Sequence, residues 1–255
     1  DEICRSLSAI LPQVDYIRVG SELSCDARFR KHLLENVLAE CNNRREVNIR
    51  MADCRIYVGT VASIASKPEL FKLKHFDVAI VDEATQILEP QLLGILCARF
   101  KDGRNGIGKF ILIGDHKQLP AVVLQSNEQS EVHDEGLRRI GLYNLKDSLF
   151  ERLYRFHLQE EHCRAVDMLC RQGRMHPGVA SFPNREFYAG KLEALGFAAS
   201  VGECRCSGSV YSFRAGYGKV FRGRRTGMKR ALLLNWLLMC IICIRRLSRS
   251  TAPWE

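Results

Sequence analysis

The stretch from Phe76 to Gln86, F-D-V-A-I-V-D-E-A-T-Q, places an apolar run, Val78 to Val81, directly before two acids, Asp82 and Glu83. A second stretch, from Lys109 to Pro120, reads K-F-I-L-I-G-D-H-K-Q-L-P and repeats the arrangement: Phe110 to Ile113 is apolar, and Gly114 and Asp115 close it. Short unbroken runs of this kind suit strands buried on both faces, the habit of parallel sheets covered by helices. Ligands of such sheets gather at the carboxyl ends of the strands. Both acidic turns are therefore predicted on one rim.

Outward from these two stretches, the spacing alternates strand and helix, which gives an α/β layer architecture. Upstream, the chain opens in helical period at D-E-I-C-R-S-L-S-A-I-L. Val14 to Val19 reads as a strand, Ala27 to Cys41 as an amphipathic helix, and Cys54 to Val58 as a strand stopping at Gly59-Thr60. Downstream, Ala84 to Cys97 reads as a helix with Ile87, Leu88, Leu92, Ile95 and Leu96 near one stripe, and Pro90 implies a kink or a late start. Residues 101 to 108 form a turn-rich loop, and Ser126 to Asp147 a polar, exposed insertion. A short helix from Ser148 to Tyr154, a strand from Met168 to Arg171 and a helix through Val179 and Phe182 to Phe187 and Tyr188 follow.

Gly103 to Lys109 has the outline G-x-x-x-x-G-K of a phosphate-binding loop. That motif needs Ser or Thr next and must open a helix after a strand, whereas Phe110 follows here and a strand begins. It reads as a surface loop.

With 255 residues and 46% apolar content, the chain has material for one large or two modest cored domains. The formal charge of +9 is unevenly placed: Ser200 to Glu255 holds 11 basic and 2 acidic residues, and residues 1 to 199 hold 27 of each. A basic footprint for nucleic acid is thus absent from the first part and confined to the tail. The 11 cysteines read as reduced thiols of a chain without a secretory leader, hence cytoplasmic. Cys240 and Cys243 form a lone C-x-x-C, so paired spacing for a metal is missing. His157, His162 and Cys163 lack a fourth partner for the same role.

A strand ending in Asp-Glu beside one ending in Gly-Asp-x-x-Gln is what nucleoside-triphosphate hydrolysis requires. Asp82 would hold Mg²⁺ and Glu83 would orient and deprotonate the attacking water. Gln118 would reach a γ-phosphate or that water. Asp82 and Glu83 alone would serve as well as a helix N-cap and first-turn acid. Gln86 and the second turn tip the reading toward hydrolysis.

These residues resemble motifs of superfamily 1 helicases, in the group typified by the nonsense-mediated-decay helicase and its bacterial relatives. F-D-V-A-I-V-D-E-A-T-Q resembles motif II, G-D-H-K-Q-L-P motif III, and Q-G-R-M-H-P followed by F-P-N-R-E-F-Y-A-G-K-L motif IV and its sequel. V-G-T-V-A-S, Val58 to Ser63, resembles motif Ic, and D-E-I-C at residues 1 to 4 the end of motif Ia. Gly173 stands where many relatives carry Tyr, and Ala121 where a second Pro is frequent. The resemblance implies a RecA-like parallel sheet with helices on both faces, the P-loop NTPase fold, cut short at both ends. It implies ATP and Mg²⁺ as cofactors, bound by Asp82, Gln86, Asp115, Gln118 and Arg174. Arg174 would stabilise transition-state charge from a second core domain. Thr60 and Ser63 would touch the backbone of a single strand, DNA or RNA.

The expected organisation is residues 1–160 as the later part of a first RecA-like domain, 161–192 as the start of a second, and 193–255 as a tail of doubtful fold. The family's phosphate-binding loop would precede Asp1, and motifs V and VI are not legible after Leu192. The expected activity is therefore that of a fragment of an ATP-dependent helicase or translocase, inactive by itself. Beyond Leu192 the composition turns to Arg, Cys and Leu without period, as in translation out of frame. In the frame one nucleotide earlier Met228-Lys229 must encode Glu, Asn235-Trp236 Leu, and Met239-Cys240 Val, an acidic amphipathic pattern. Two other classes fit parts of the chain: a non-catalytic truncated product, and attachment to a membrane through Ala231 to Ile244. That run contains Asn235 and falls short of the roughly 20 residues a span needs, so no membrane is expected.

Overall fold

Two parallel ladders and one antiparallel insert make the main sheet. In the computed structural model, residues 1–10, 12, 13, 15–159, 165–173, 175–194 and 240–244 are described. The strands are β1 (Tyr16–Val19), β2 (Ile56–Thr60), β3 (Phe76–Val81), β4 (Ile107–Leu112) and, much later in the chain, β7 (Cys240–Ile244), in the order β1-β2-β7-β3-β4. β1 pairs with β2 and β3 with β4 in parallel, while β7 runs antiparallel to both β2 and β3. β1 to β4 thus all point the same way. The sheet is mixed where an all-parallel one was expected. The reason lies in C-I-I-C-I at residues 240–244, a short, wholly apolar and β-branched segment fit for a strand with neighbours on both sides. This strand falls within the tail, residues 193–255, whose fold the sequence left in doubt. The other residues after Ala194, and with them most of the frame reading and of the apolar run from Ala231, lie outside the described residues. Among the described residues no helix is long and apolar enough to cross a membrane.

Side chains alternate across a strand, and the core follows that alternation. Ile17, Val19 and Tyr57 belong to a large cluster with Ala79, Val81, Leu92 and Ile95. Tyr16, Ile56 and Val58 face a smaller one with Cys4, Phe29 and Leu33. Cys4 comes from α1 (Glu2–Ile10), so this end of the sheet is covered on both faces. α6 (Glu89–Leu96) supplies Leu92 and Ile95 to the large cluster. It begins late, after a 3-10 turn over Ala84–Gln86, with Pro90 in its first turn where a missing N–H costs nothing.

The expected helix from Ala27 to Cys41 is broken. A 3-10 segment, Ala27–His32, ends at Leu33, which is extended and bridges to Arg18 before α2 (Leu34–Ala39) starts. Tertiary pairing overrides helical period there. α3 (Arg44–Asp53) was not anticipated, although Asn43 caps it and Glu46 bonds back to the N–H of Asn42. α4 (Val61–Ala65) and α5 (Glu69–Leu73) are short links between strands. β4 begins at Ile107, earlier than the apolar run suggested. The polar segment Ser126 to Asp147 carries α7 (Asn127–Ser130) and α8 (Glu135–Arg139) and buries Val132 and Leu142. α9 (Leu149–Gln159) runs farther than the short helix expected.

Lys74, 2% exposed, closes the end of α3. Its ammonium donates to the carbonyls of Met51 at 3.1 Å, Ala52 at 2.6 Å and Cys54 at 2.5 Å. A charged donor thus meets the negative end of the helix dipole and satisfies carbonyls that the helix leaves open. Tyr57 adds its phenol to the Met51 carbonyl at 2.8 Å, and burial raises both its pKa and that of the Cys54 thiol. Cys4, Cys25, Cys41, Cys54, Cys97 and Cys170 are free thiols.

The described residues fall into two compact units, those up to 156 with 240–244, and those from 157 to 194. In the second, β5 (Arg171–Gln172) pairs in parallel with β6 (Glu193–Ala194), and α10 (Pro177–Phe187) lies between them in sequence. Of the expected strand from Met168 to Arg171 only Arg171 is in β5, which adds Gln172, and β6 lies past Leu192.

Two consequences are measurable. Lys74→Met keeps the stem and removes the ammonium that pairs with the carbonyls of Ala52 and the buried Cys54, so the urea midpoint should fall by the equivalent of about 1–3 kcal/mol. Gly114→Ala would put a Cβ 2.9 Å from Thr85 Cγ2 and 3.0 Å from Thr85 N. It should destabilise by about 1–3 kcal/mol, and Thr85→Ser should rescue it only in part, because the backbone contact stays. Full rescue in thermal unfolding would show that the methyl alone is crowded.

Candidate functional site

The ladder between β3 and β4 does not stop at the strand ends. Ile113 N–H donates to Val81 O at 2.8 Å, and Ala84 N–H donates to Ile113 O at 2.8 Å, so the turn Asp82–Glu83 and the turn Gly114–Asp115 are bonded side by side. Gly114 lies against Thr85, which is 3% exposed, and only a residue without Cβ fits that approach. The two acidic turns predicted from separate stretches form one surface.

Asp82 and Glu83 are exposed at its edge, and Gln86 is half-buried. Asp82 Oδ1 accepts from the Glu83 N–H at 3.0 Å. Glu83 is left-handed, φ 51° and ψ 38°, one of two such non-glycine residues described. An ordinary strand would send Asp82 and Glu83 to opposite faces, and this twist breaks the alternation at a cost of about 1–2 kcal/mol. Gln86 Nε2 then donates to Glu83 Oε2 at 3.1 Å, holding the carboxylate in place. Across the rim, Asp115 organises its own turn. Its Oδ1 accepts from Lys117 N–H at 2.9 Å, its Oδ2 from Gln118 Nε2 at 2.9 Å, and its carbonyl from Gln118 N–H at 3.1 Å.

Thr60 ends β2 and caps α4. Its Oγ1 accepts from Ser63 N–H at 3.1 Å and donates to Ser63 Oγ at 2.8 Å. Register fixes its height: Thr60 lies opposite Cys240 and Val81 opposite Ile241, so Asp82 and Thr60 are level on either side of β7. Two strand spacings, about 10 Å, separate them. All the candidates of the first unit therefore stand at the carboxyl end of one sheet.

Arg174 lies outside the described residues. Its neighbours are described: Gln172 Nε2 donates to Met175 O at 2.8 Å, and Met175 N–H donates to Gln172 Oε1 at 2.7 Å. Gln172 thus bonds twice to the backbone of Met175, three residues on. Sequence reading missed two groups around the site. Arg152 on α9 makes a two-pronged ion pair with Glu89, Nε to Oε2 at 2.8 Å and Nη2 to Oε1 at 2.5 Å, with both side chains largely buried. Tyr154 lies against the His116 ring with centroids 4.3 Å apart. Pairs between distant stretches leave no periodic signal, although Phe150 and Tyr154 at i and i+4 do mark one helix face.

Among the described residues no three metal-ligating side chains cluster. One exposed aspartate with a second acid beside it suits Mg²⁺, which keeps water and takes one or two protein carboxylates plus phosphate oxygens.

Comparison with known proteins supplies the context. Residues 35–126 and 145–211 each match an AAA domain model. The second match passes Leu192, where the family resemblance was expected to end. The chain is 30% identical over 182 residues to a DNA replication ATP-dependent helicase/nuclease of Gallus gallus, covering 71% of this chain and 16% of that protein. It is 40% identical over 118 residues to the probable helicase MAGATAMA 3 of Arabidopsis thaliana, covering 46% and 11%. To an uncharacterized ATP-dependent helicase of Methanocaldococcus jannaschii it is 34% identical over 149 residues, covering 58% and 18%. It spans less than a fifth of the length of each of these relatives. With paired acidic turns on one sheet rim, two AAA domain matches and helicases as relatives, the chain belongs to the superfamily 1 helicase family and its P-loop NTPase fold.

Proposed function

We propose that this chain forms part of an ATP-driven motor acting on single-stranded nucleic acid, and that it supplies the groups that hold the metal and the attacking water. The observation that supports this most is the continued ladder from Val81 to Ile113 to Ala84, which joins the two acidic turns. In this reading Asp82 holds Mg²⁺, which when bound neutralises charge on the phosphates. Glu83, oriented by Gln86, accepts the proton of the attacking water. Gln118, seated by Asp115, contacts the γ-phosphate, and Gln86 and Asp115 complete the nucleotide side of the rim. Arg174 supplies a positive charge to the transferring phosphoryl group. Thr60 and Ser63 bind phosphate or sugar of the strand, and their mutual hydrogen bond leaves hydroxyl lone pairs for that contact. DNA is favoured over RNA only in that the Gallus gallus relative is named for DNA replication.

The sequence contains no G-x-x-x-x-G-K-[ST]. Positioning supplies most of phosphoryl-transfer catalysis, and the backbone cradle and Lys of that loop do the positioning. The 255-residue chain alone, given Mg²⁺, ATP and single-stranded nucleic acid, should release phosphate at the background rate. Joined to a phosphate-binding loop in its parent protein, it should turn over ATP. There Glu83→Gln should cut kcat by at least about 100-fold while nucleotide affinity stays within about threefold, as expected for a general base. Equal loss of affinity and turnover would assign Glu83 to binding instead.

A further inference from the structure

α9 touches the surroundings of both acidic turns, through residues on different faces. Ser148 caps it, with Oγ accepting from Glu151 N–H at 3.2 Å, and Leu149, 5% exposed, anchors it in the large core cluster. Arg152 reaches Glu89, which opens α6 three residues after Gln86, and also donates from Nη1 to the Ile140 carbonyl at 2.9 Å. Tyr154, about 200° further round the helix, lies on His116 with rings tilted by 36° and on Phe150 at 6.2 Å. His116 sits between Asp115 and Lys117 in the turn that Asp115 ties to Gln118. The buried ion pair fixes the helix against α6, so the ring of Tyr154 stands at a fixed place relative to Glu83 and Gln86. A tight turn cannot move its second residue without moving its fourth. Support of His116 is therefore support of Gln118.

We propose that Tyr154 is a positioning residue: through its contact with His116 it sets the seat of Gln118 relative to the Asp82–Glu83 turn. This rests on the reading of Gln118 as the γ-phosphate contact, but the contact itself is testable without turnover.

Two measurements decide it. In NMR spectra of the 255-residue chain, Tyr154→Ala should move the His116 ring protons downfield, by loss of ring current, and shift the Gln118 side-chain amide. Tyr154→Phe should leave both near their wild-type positions. In the parent protein, Tyr154→Ala should lower kcat about tenfold or more with KM for ATP within about twofold, because a small misplacement of a positioned group is felt in the reacting geometry. Tyr154→Phe should restore kcat, and adding His116→Ala to Tyr154→Ala should cost little more, as for two residues acting through one contact. If Tyr154→Ala proves too unstable to study, His116→Ala against His116→Phe gives the same comparison from the other ring. Unmoved Gln118 resonances in Tyr154→Ala, or additive losses in the double variant, would overturn the proposal. A parent protein without turnover would refute the functional reading, and the spectra would then decide the contact alone.

Discussion

One parallel ladder decides where the chemistry stands. The bonds that run from Val81 to Ile113 and back to Ala84 carry strand pairing into the turns, so that each acidic turn is held by the other's backbone. Gly114 permits the approach, and Thr85 fills the space beneath it. The carboxylates of Asp82 and Glu83 are exposed, and their backbones are fixed by the sheet. A site built in this way is preorganised by main chain, and its side chains need only short local bonds, such as Gln86 to Glu83 and Gln118 to Asp115.

Around that ladder, stability rests on long-range pairings of a few polar groups. Lys74 ends α3 from a distance of more than twenty residues, and Arg152 crosses from α9 to Glu89. Both are buried or nearly so, and each satisfies several acceptors at once, which is the condition under which burial of charge is tolerated. The left-handed Glu83 is the converse, a small local expense at the place where a carboxylate must leave the strand's alternation.

How much of this was legible in the sequence follows from the range of each interaction. The apolar runs before Asp82 and Gly114 predicted parallel strands and a shared rim because they depend on period and on the strand-end rule alone. The late start of α6 was readable from Pro90. Asn43 and Glu46 carried a helix-start signal for α3 that was overlooked. Leu33 was not readable: its extended backbone answers to Arg18, fifteen residues earlier in the chain. Likewise nothing in C-I-I-C-I names its neighbours, so its antiparallel place between β2 and β3 was beyond a reading by period. Tyr154 and His116 meet for the same kind of reason, by fold rather than by spacing.

The place of β7 has a consequence for how the protein is made. β1 and β2 form one pair and β3 and β4 another, and among the described strands Cys240–Ile244 bonds the one pair to the other. On a ribosome that strand emerges after β4 by roughly ten seconds at ordinary rates of synthesis. For that interval each pair offers an unpaired inner edge, and parallel two-stranded pairs are marginal in water. The nascent chain is then at its most adhesive, and chaperones that shield strand edges would meet it there.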